Sequence, residues 1–310
     1  MPRYPLDRRE WAGKVVSRDL MEGAMKCAVD PYKHGMSLNH PPFSDVFAGK
    51  TCTFVFSDGA RLEYKFIDQN KLAWYLPGVG GGWQEVYYEC YETSAPNLYF
   101  MFHEKVEAMP PAARVFAIDM DNNKITMLYN CQGGDEDYEM TDVSITPYFG
   151  YVDWHDGAEP PESFHAYTTE MVRKVVMWRV NTWCLIHYYT SKHFFTNQVM
   201  IGQDGLLASE PGRHIKLRNN VYLFHWLEVS GPGGLGCDVM DFDRMKGVGM
   251  FYGVGPGSKV CNGFQREDGK FLSKGDLLVF EKVFEKKGER AAMEAMGVNL
   301  SDHTTNLIHI

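Results

Sequence analysis

Asn220-Val-Tyr-Leu-Phe-His-Trp-Leu-Glu-Val229 and Asn97-Leu-Tyr-Phe-Met-Phe-His-Glu-Lys-Val106 are one stretch written twice, at an offset of 220 − 97 = 123. The echo runs outward from there. Lys50-Thr-Cys-Thr-Phe54 meets Lys174-Val-Val-Met-Trp178 at 174 − 50 = 124, and Asp119-Met-Asp121 meets Asp241-Phe-Asp243 at 241 − 119 = 122. Tyr129 meets Tyr252 at 252 − 129 = 123. A nearly constant offset from Lys50 to Tyr129 marks two copies of one β-rich unit, each large enough for a core of its own.

The later copy of the stretch holds seven apolar or aromatic residues around His225 and Glu228, and strand-favouring types dominate it. Alternation along a strand puts Tyr222, Phe224, Trp226 and Glu228 on one face and Leu223, His225 and Leu227 on the other. A carboxylate in an aromatic row must be hydrogen-bonded, paired or held protonated. Glu228 therefore marks a candidate site.

The chain has 310 residues, 45% hydrophobic and 14% aromatic, enough for two cores. It has no apolar run of membrane-span length, and Met1-Pro-Arg-Tyr-Pro-Leu-Asp-Arg-Arg-Glu10 lacks a signal core. The expectation is a soluble, cytoplasmic protein without a membrane partner. Seven scattered cysteines read as buried free thiols of a reducing compartment. A net charge of −9 with no basic stripe argues against nucleic acid.

Residues 1–45 form an N-terminal segment with a helix expected over Ser17 to Val29, where apolar residues recur at helical spacing. Short strands separated by tight turns then fill 46–132, the first unit. The acidic, turn-rich stretch 133–165 reads as a linker. Strands return in the second unit, 166–285, whose last strand is expected at Leu277 to Phe284, and 286–310 reads as a C-terminal helix and tail. Meanders of this length close into barrels, because closure removes exposed edges. The fold class is all-β: two tandem antiparallel β-barrels with short flanking helices.

Arg213-His-Ile-Lys-Leu217, Val221-Tyr-Leu-Phe-His-Trp-Leu-Glu228 and the hairpin from Asp241 to Lys246 running to Phe251-Tyr-Gly253 resemble the C-terminal domain of the molybdenum cofactor biosynthesis protein F (MoaF) family. Phe54-Val-Phe-Ser-Asp-Gly59 and Leu62-Glu-Tyr64 resemble that family's N-terminal domain. The resemblance implies lipocalin-like (calycin) barrels, and it supplies a fold more than a reaction. The second copy is also similar to phenolic acid decarboxylase, whose catalytic strand pattern Tyr222, Trp226 and Glu228 reproduce. That enzyme's two gripping tyrosines fall near Trp178 and Val180, and its arginine near Gly205, so a hydroxycinnamate carboxylate has no evident clamp here. Proton transfer on a bound organic molecule is retained, and decarboxylation is dropped.

Glu228 reads equally well as a general acid or base facing a cavity and as a structural staple. His225, His214 and Tyr189 are candidates to orient or relay its proton, and Trp178, His187, Arg213, Tyr222, Phe224, Trp226 and Tyr252 to form the ligand pocket. In the first copy Glu63, Glu85 and Tyr99 rank lower. The histidines lack tight ligand spacing, so no metal is expected, and no cofactor. The paired Asp-x-Asp motifs read as hairpin turns, and the glycine-rich stretches as barrel rims. The first functional hypothesis is a cofactor-independent lyase, isomerase or cyclase of secondary metabolism, acting on a small hydrophobic ligand, aromatic or terpenoid-like. The second is a non-catalytic binding accessory protein; a link to molybdenum cofactor metabolism rests on the family name. A homodimer is compatible with either.

Overall fold

A computed structural model describes residues 43–78, 81–105, 112–132, 143–180, 183–201, 207–228, 234–254 and 260–295. The helix expected over Ser17 to Val29 lies outside them. The first unit is a closed barrel of eight antiparallel strands: β1 (Thr51–Phe56), β2 (Arg61–Phe66), β3 (Lys71–Tyr75), β4 (Gln84–Glu92), β5 (Leu98–Lys105), β6 (Ala112–Asp119), β7 (Lys124–Gln132) and β8 (Val143–Asp153). β8 returns to β1 with Phe54 opposite Val152. The strand that closes this barrel thus comes from within 133–165, which had read as a linker because its charge and turn residues mask the alternation.

The second unit repeats the plan with β10 (Val175–Val180), β11 (Trp183–Tyr188), β12 (Phe194–Ile201), β13 (Leu207–Arg218), β14 (Val221–Leu227), β15 (Gly234–Asp241), β16 (Lys246–Val254) and β17 (Val260–Phe271). β17 closes on β10 with Trp178 opposite Gly269. The long β13 pairs with β12 through its first half and with the short β9 (Ala166–Thr168) near its end. Tyr167 of β9 stands opposite Ile215 as Phe43 stands opposite Tyr91 in the first barrel, so even this outer strap is duplicated.

The closing strand had been expected at Leu277 to Phe284, but that run is helical. It lies in α1 (Lys274–Lys287), followed by α2 (Glu289–Ala295). Ser273 and Asp276 form a reciprocal cap: the Ser273 amide donates to Asp276 Oδ2 at 2.8 Å and the Asp276 amide to Ser273 Oγ at 3.2 Å. Such a cap commits the following residues to a helix. Leu277 then packs with Leu272 against Met177 and Ile186 on the outside of β10 and β11. The described helices include none long and apolar enough to cross a membrane.

One end of each barrel is plugged. Phe47 stacks on Phe66 and Trp154 and meets Tyr99 edge-on, at ring distances of 5.1 to 5.8 Å, and its repeat counterpart Met171 joins the interior core of the second barrel. The other strand faces carry a second apolar set. Leu98, Phe100 and Phe102 of β5 and Ala113, Val115 and Ala117 of β6 pack with Leu223 of β14 and Leu235, Cys237 and Val239 of β15 in one core. The barrels are thus joined through equivalent faces, an internal version of an isologous interface.

The ends of this interface are polar. Arg218 spans the seam, giving Asp119 Oδ1 a bond of 2.6 Å and Oδ2 one of 3.0 Å, and reaching the Pro96 carbonyl at 2.8 Å. Across the pseudo-axis Ser94 Oγ donates to Asp241 Oδ2 at 2.9 Å. Both aspartates also hold their hairpins, accepting from the amides of Asn122 and of Asp243 and Arg244. This is the turn role expected of the two Asp-x-Asp motifs. Burial alone would push Asp119 up, but His165, Arg218 and Asn122 together outweigh it and hold its carboxyl well below the usual carboxylate range.

Asp119→Asn removes the buried carboxylate and leaves Arg218 with the more exposed Asp121 and the Pro96 carbonyl, and we expect a loss on the order of 2 kcal/mol in denaturant unfolding at pH 7. Ser94→Ala should cost only about 1 kcal/mol. A depressed folded value means the Asp119 contribution is present above the ordinary carboxylate pKa and lost as pH falls through the folded one, so the two proteins should converge in acid. An undiminished gap in acid would show that the loss has another origin.

Candidate functional site

Strand alternation sends Tyr222, Phe224 and Trp226 of β14 into the second barrel, where they pack with Trp178, Leu185, Phe195 and Met240. This is the aromatic enclosure expected from the sequence, and its polar content is unusual. His187, Glu210, His214, Asp238 and Glu267 are all buried. Asp238 of β15 and Glu267 of β17 are hydrogen-bonded side chain to side chain across β16. Their meeting depends on two glycines of β16. A Cβ on Gly249 would come within 1.6 Å of Asp238 Oδ1, and one on Gly247 within 2.5 Å of Glu267 Oε2. A missing side chain at both positions leaves the space the carboxyls fill.

Burial first, and then the Asp238 charge beside it, push the Glu267 carboxyl well above the usual carboxylate range. Glu267 therefore holds its proton to higher pH than an ordinary carboxyl, beside a second buried acid. Tyr189 stands close by. Its hydroxyl accepts from Trp178 Nε1 at 3.3 Å and meets His187 Nδ1 at 3.4 Å. Burial, with Glu267 and Asp238 adding to it, raises the phenol well above its ordinary value, so it stays a donor. Burial lowers His187 to about 3. His214, stacked on Phe224 with ring centroids 4.4 Å apart, is likewise held neutral, first by burial and then by His225 and His187. Its Nε2 has no hydrogen-bond partner among the described residues.

The structure thus brings together Trp178, His187, Tyr189, His214, Tyr222, Phe224 and Trp226 of the residues singled out in the sequence. It separates four others. Glu228 lies just past the end of β14, half-buried at the open rim, accepting from Trp226 Nε1 at 2.6 Å. His225, Arg213 and Tyr252 face outward. His225 shares a hydrogen bond of 3.2 Å with Tyr167, Arg213 stacks on the same ring at 3.2 Å, and Tyr252 belongs to the inter-barrel core. In the first barrel Tyr99 is interior, whereas Glu85 pairs with Lys71, a half-exposed ion pair. Among the described residues no group of three or more His, Cys, Asp or Glu could hold a metal.

Asp238, Glu267 and Glu210 escaped the sequence reading. The signal for the pair was Gly247 and Gly249, two glycines at strand period opposite an acid that alternates with Met240.

Gly247→Ala should destabilise by about 1 to 3 kcal/mol, because the three atoms nearest the new Cβ all belong to the Glu267 side chain. In a Glu267→Ala background most of that cost should vanish, as a double-mutant cycle by thermal unfolding would record. Additive losses would show that the carboxyl does not occupy the glycine space.

Two family models match along the chain: the MoaF N-terminal domain over residues 28–131 and the MoaF C-terminal domain over residues 165–271. No curated protein matches. Among solved structures, a chain described as a putative beta-lactamase from Burkholderia vietnamiensis is similar at 10% identity with a TM-score of 0.29, covering 34% of this chain and 97% of that one. A likeness of that size carries no weight for fold or function. The two family domains occur in order, one over each half, and the chain belongs to the MoaF family.

Proposed function

We propose that the second barrel is the working site of a cofactor-independent acid/base enzyme, a lyase, isomerase or cyclase acting on a small aromatic or terpenoid-like molecule. The carrying observation is the Asp238–Glu267 pair, two buried acids that fill the space left by Gly249 and Gly247 beside an aromatic enclosure. Glu267 would donate its proton to an unsaturated carbon or oxygen of the substrate. Asp238, as carboxylate, would balance the cation so formed, and loss of a proton from a neighbouring carbon back to Glu267 would restore the enzyme. The net change is a moved double bond or a closed ring, with nothing oxidised or reduced. Tyr189 and the neutral His187 and His214 would orient polar atoms of the substrate without competing for the proton. The aromatic walls would stabilise developing positive charge. Glu228, at the rim, would act on entry more than on chemistry.

The test is to incubate the protein with fractionated small-molecule extracts and follow consumption by mass spectrometry, then repeat with Glu267→Gln and Asp238→Asn. Turnover should fall by about 100-fold or more in both, with ligand retention changed only a few-fold. Retention without consumption by the parent protein would instead favour a non-catalytic binding protein.

The pair also predicts a pH signature. A raised folded value for Glu267 means that the unfolded chain sheds this proton near the ordinary value of 4.5 while the folded chain keeps it. The group therefore costs the fold stability as pH rises above that point, by on the order of 1 kcal/mol per pH unit. Relative to the parent, Glu267→Gln should gain stability as pH rises above the ordinary carboxylate value in denaturant titrations. A flat difference would place the proton elsewhere.

A further inference from the structure

The first barrel carries the opposite charge. Arg114 of β6 is nine-tenths buried, on the inward face it shares with Phe116. Its guanidinium lies 4.1 Å from the Trp74 ring centroid and 5.2 Å from that of Tyr129. Among the described residues no carboxylate pairs with it. Directly across the ladder stands His103 of β5, fully buried, whose Nε2 is 3.0 Å from the Tyr64 hydroxyl. Its Nδ1 has no hydrogen-bond partner among the described residues.

The tautomer follows from the phenol. A buried hydroxyl must place its proton, and His103 Nε2 is the acceptor the structure offers Tyr64. Nδ1 then carries the imidazole hydrogen, so Arg114 and His103 together offer donors alone. A buried guanidinium without a counter-charge is costly. Two adjacent inward groups that only donate, walled by Trp74, Phe54, Tyr64 and Phe116, want an anion with a flat apolar body. Arg114 sits two residues from the start of β6, at the end of the barrel opposite the Phe47 plug.

We propose that the first barrel is a binding site for an aromatic or otherwise flat apolar carboxylate, whose charge is taken by Arg114 with His103 as second donor. The guanidinium rests against two rings, and its planar fork is suited to a bidentate grip on a carboxylate. The site is independent of the second barrel, whose buried interior charges are carboxyls and would repel the same ligand.

The full chain would be titrated calorimetrically with 2-naphthoate and with its uncharged isostere 2-naphthamide. We expect one naphthoate per chain, bound at least about tenfold more tightly than the amide. Arg114→Met, which keeps the apolar stem, should abolish the preference. Arg114→Lys, which keeps the charge and loses the planar fork, should weaken naphthoate binding while leaving it preferred over the amide. Should Arg114→Met fail to fold, the lysine variant and His103→Phe, with an expected several-fold loss for naphthoate alone, decide the matter. Equal binding of acid and amide, naphthoate binding unaffected by Arg114→Met, or no binding of either arene to the parent protein would each overturn the proposal.

Discussion

Four strands, β5, β6, β14 and β15, have to be buried on both faces, and most of the structure follows from that. One face fills a barrel, as Met101, Phe116, Phe224 and Met240 do. The other meets the partner barrel, as Phe100, Val115, Leu223 and Val239 do. A strand under this double demand loses the polar alternate positions that mark a half-solvated sheet. On the face between the barrels a charge needs a specific partner, and the ends of the seam are fixed by Arg218 on Asp119 and by Ser94 on Asp241. The positions of Arg218 and Ser94 correspond in the repeat, 218 − 94 = 124. At one end of the seam the matched position thus makes an ion pair and at the other a hydroxyl-to-carboxylate hydrogen bond.

With the outer faces committed to each other, the interiors were free to diverge, and they did so by exchanging volume for charge at matched positions. Phe116 corresponds to Asp238, and Ile125 and Met127 to Gly247 and Gly249; Gly150, opposite Ile125, corresponds to Glu267, opposite Gly247. Two large apolar side chains on the central strand are replaced by glycines, and the acids of both neighbours lean into the space. At the rim the cross-strand pair His103 and Arg114 becomes Trp226 and Gly236. The indole covers the glycine so closely that a Cβ there would meet it at 2.1 Å. Each exchange conserves packing while reversing the local chemistry, as cores tolerate best.

The repeat made the architecture legible, because a constant offset survives whatever the interior does. Its limits were equally physical. The strands that close the two barrels, β8 and β17, are poor in alternating apolar residues: β17 reads Val260-Cys-Asn-Gly-Phe-Gln-Arg-Glu-Asp-Gly-Lys-Phe271, and its buried acid made it look solvated. Leu277 to Phe284 had the composition of a strand, yet the Ser273–Asp276 cap decides for helix. Within the site, alternation correctly grouped Tyr222, Phe224 and Trp226 while placing His225 on the other face. Glu228 drew attention because it ends the most aromatic stretch. The better-buried acids lay in Gly-Cys-Asp238-Val, next to a hairpin motif that already explained its own aspartates.

A duplicated barrel could have kept two equivalent cavities, and the electrostatics argue against that. The first interior holds a cation against aromatic rings, and the second holds buried acids, one of them pushed well above the usual carboxylate range. An anion would offset the cost of burying Arg114 and add to the cost of ionising Glu267, so the two interiors differ in the charge they would tolerate. At an effective interior dielectric near 20, a charge about 4 Å away is worth roughly 4 kcal/mol in either direction. A difference of that size makes the two interiors electrostatically inequivalent, whatever the shapes of their walls.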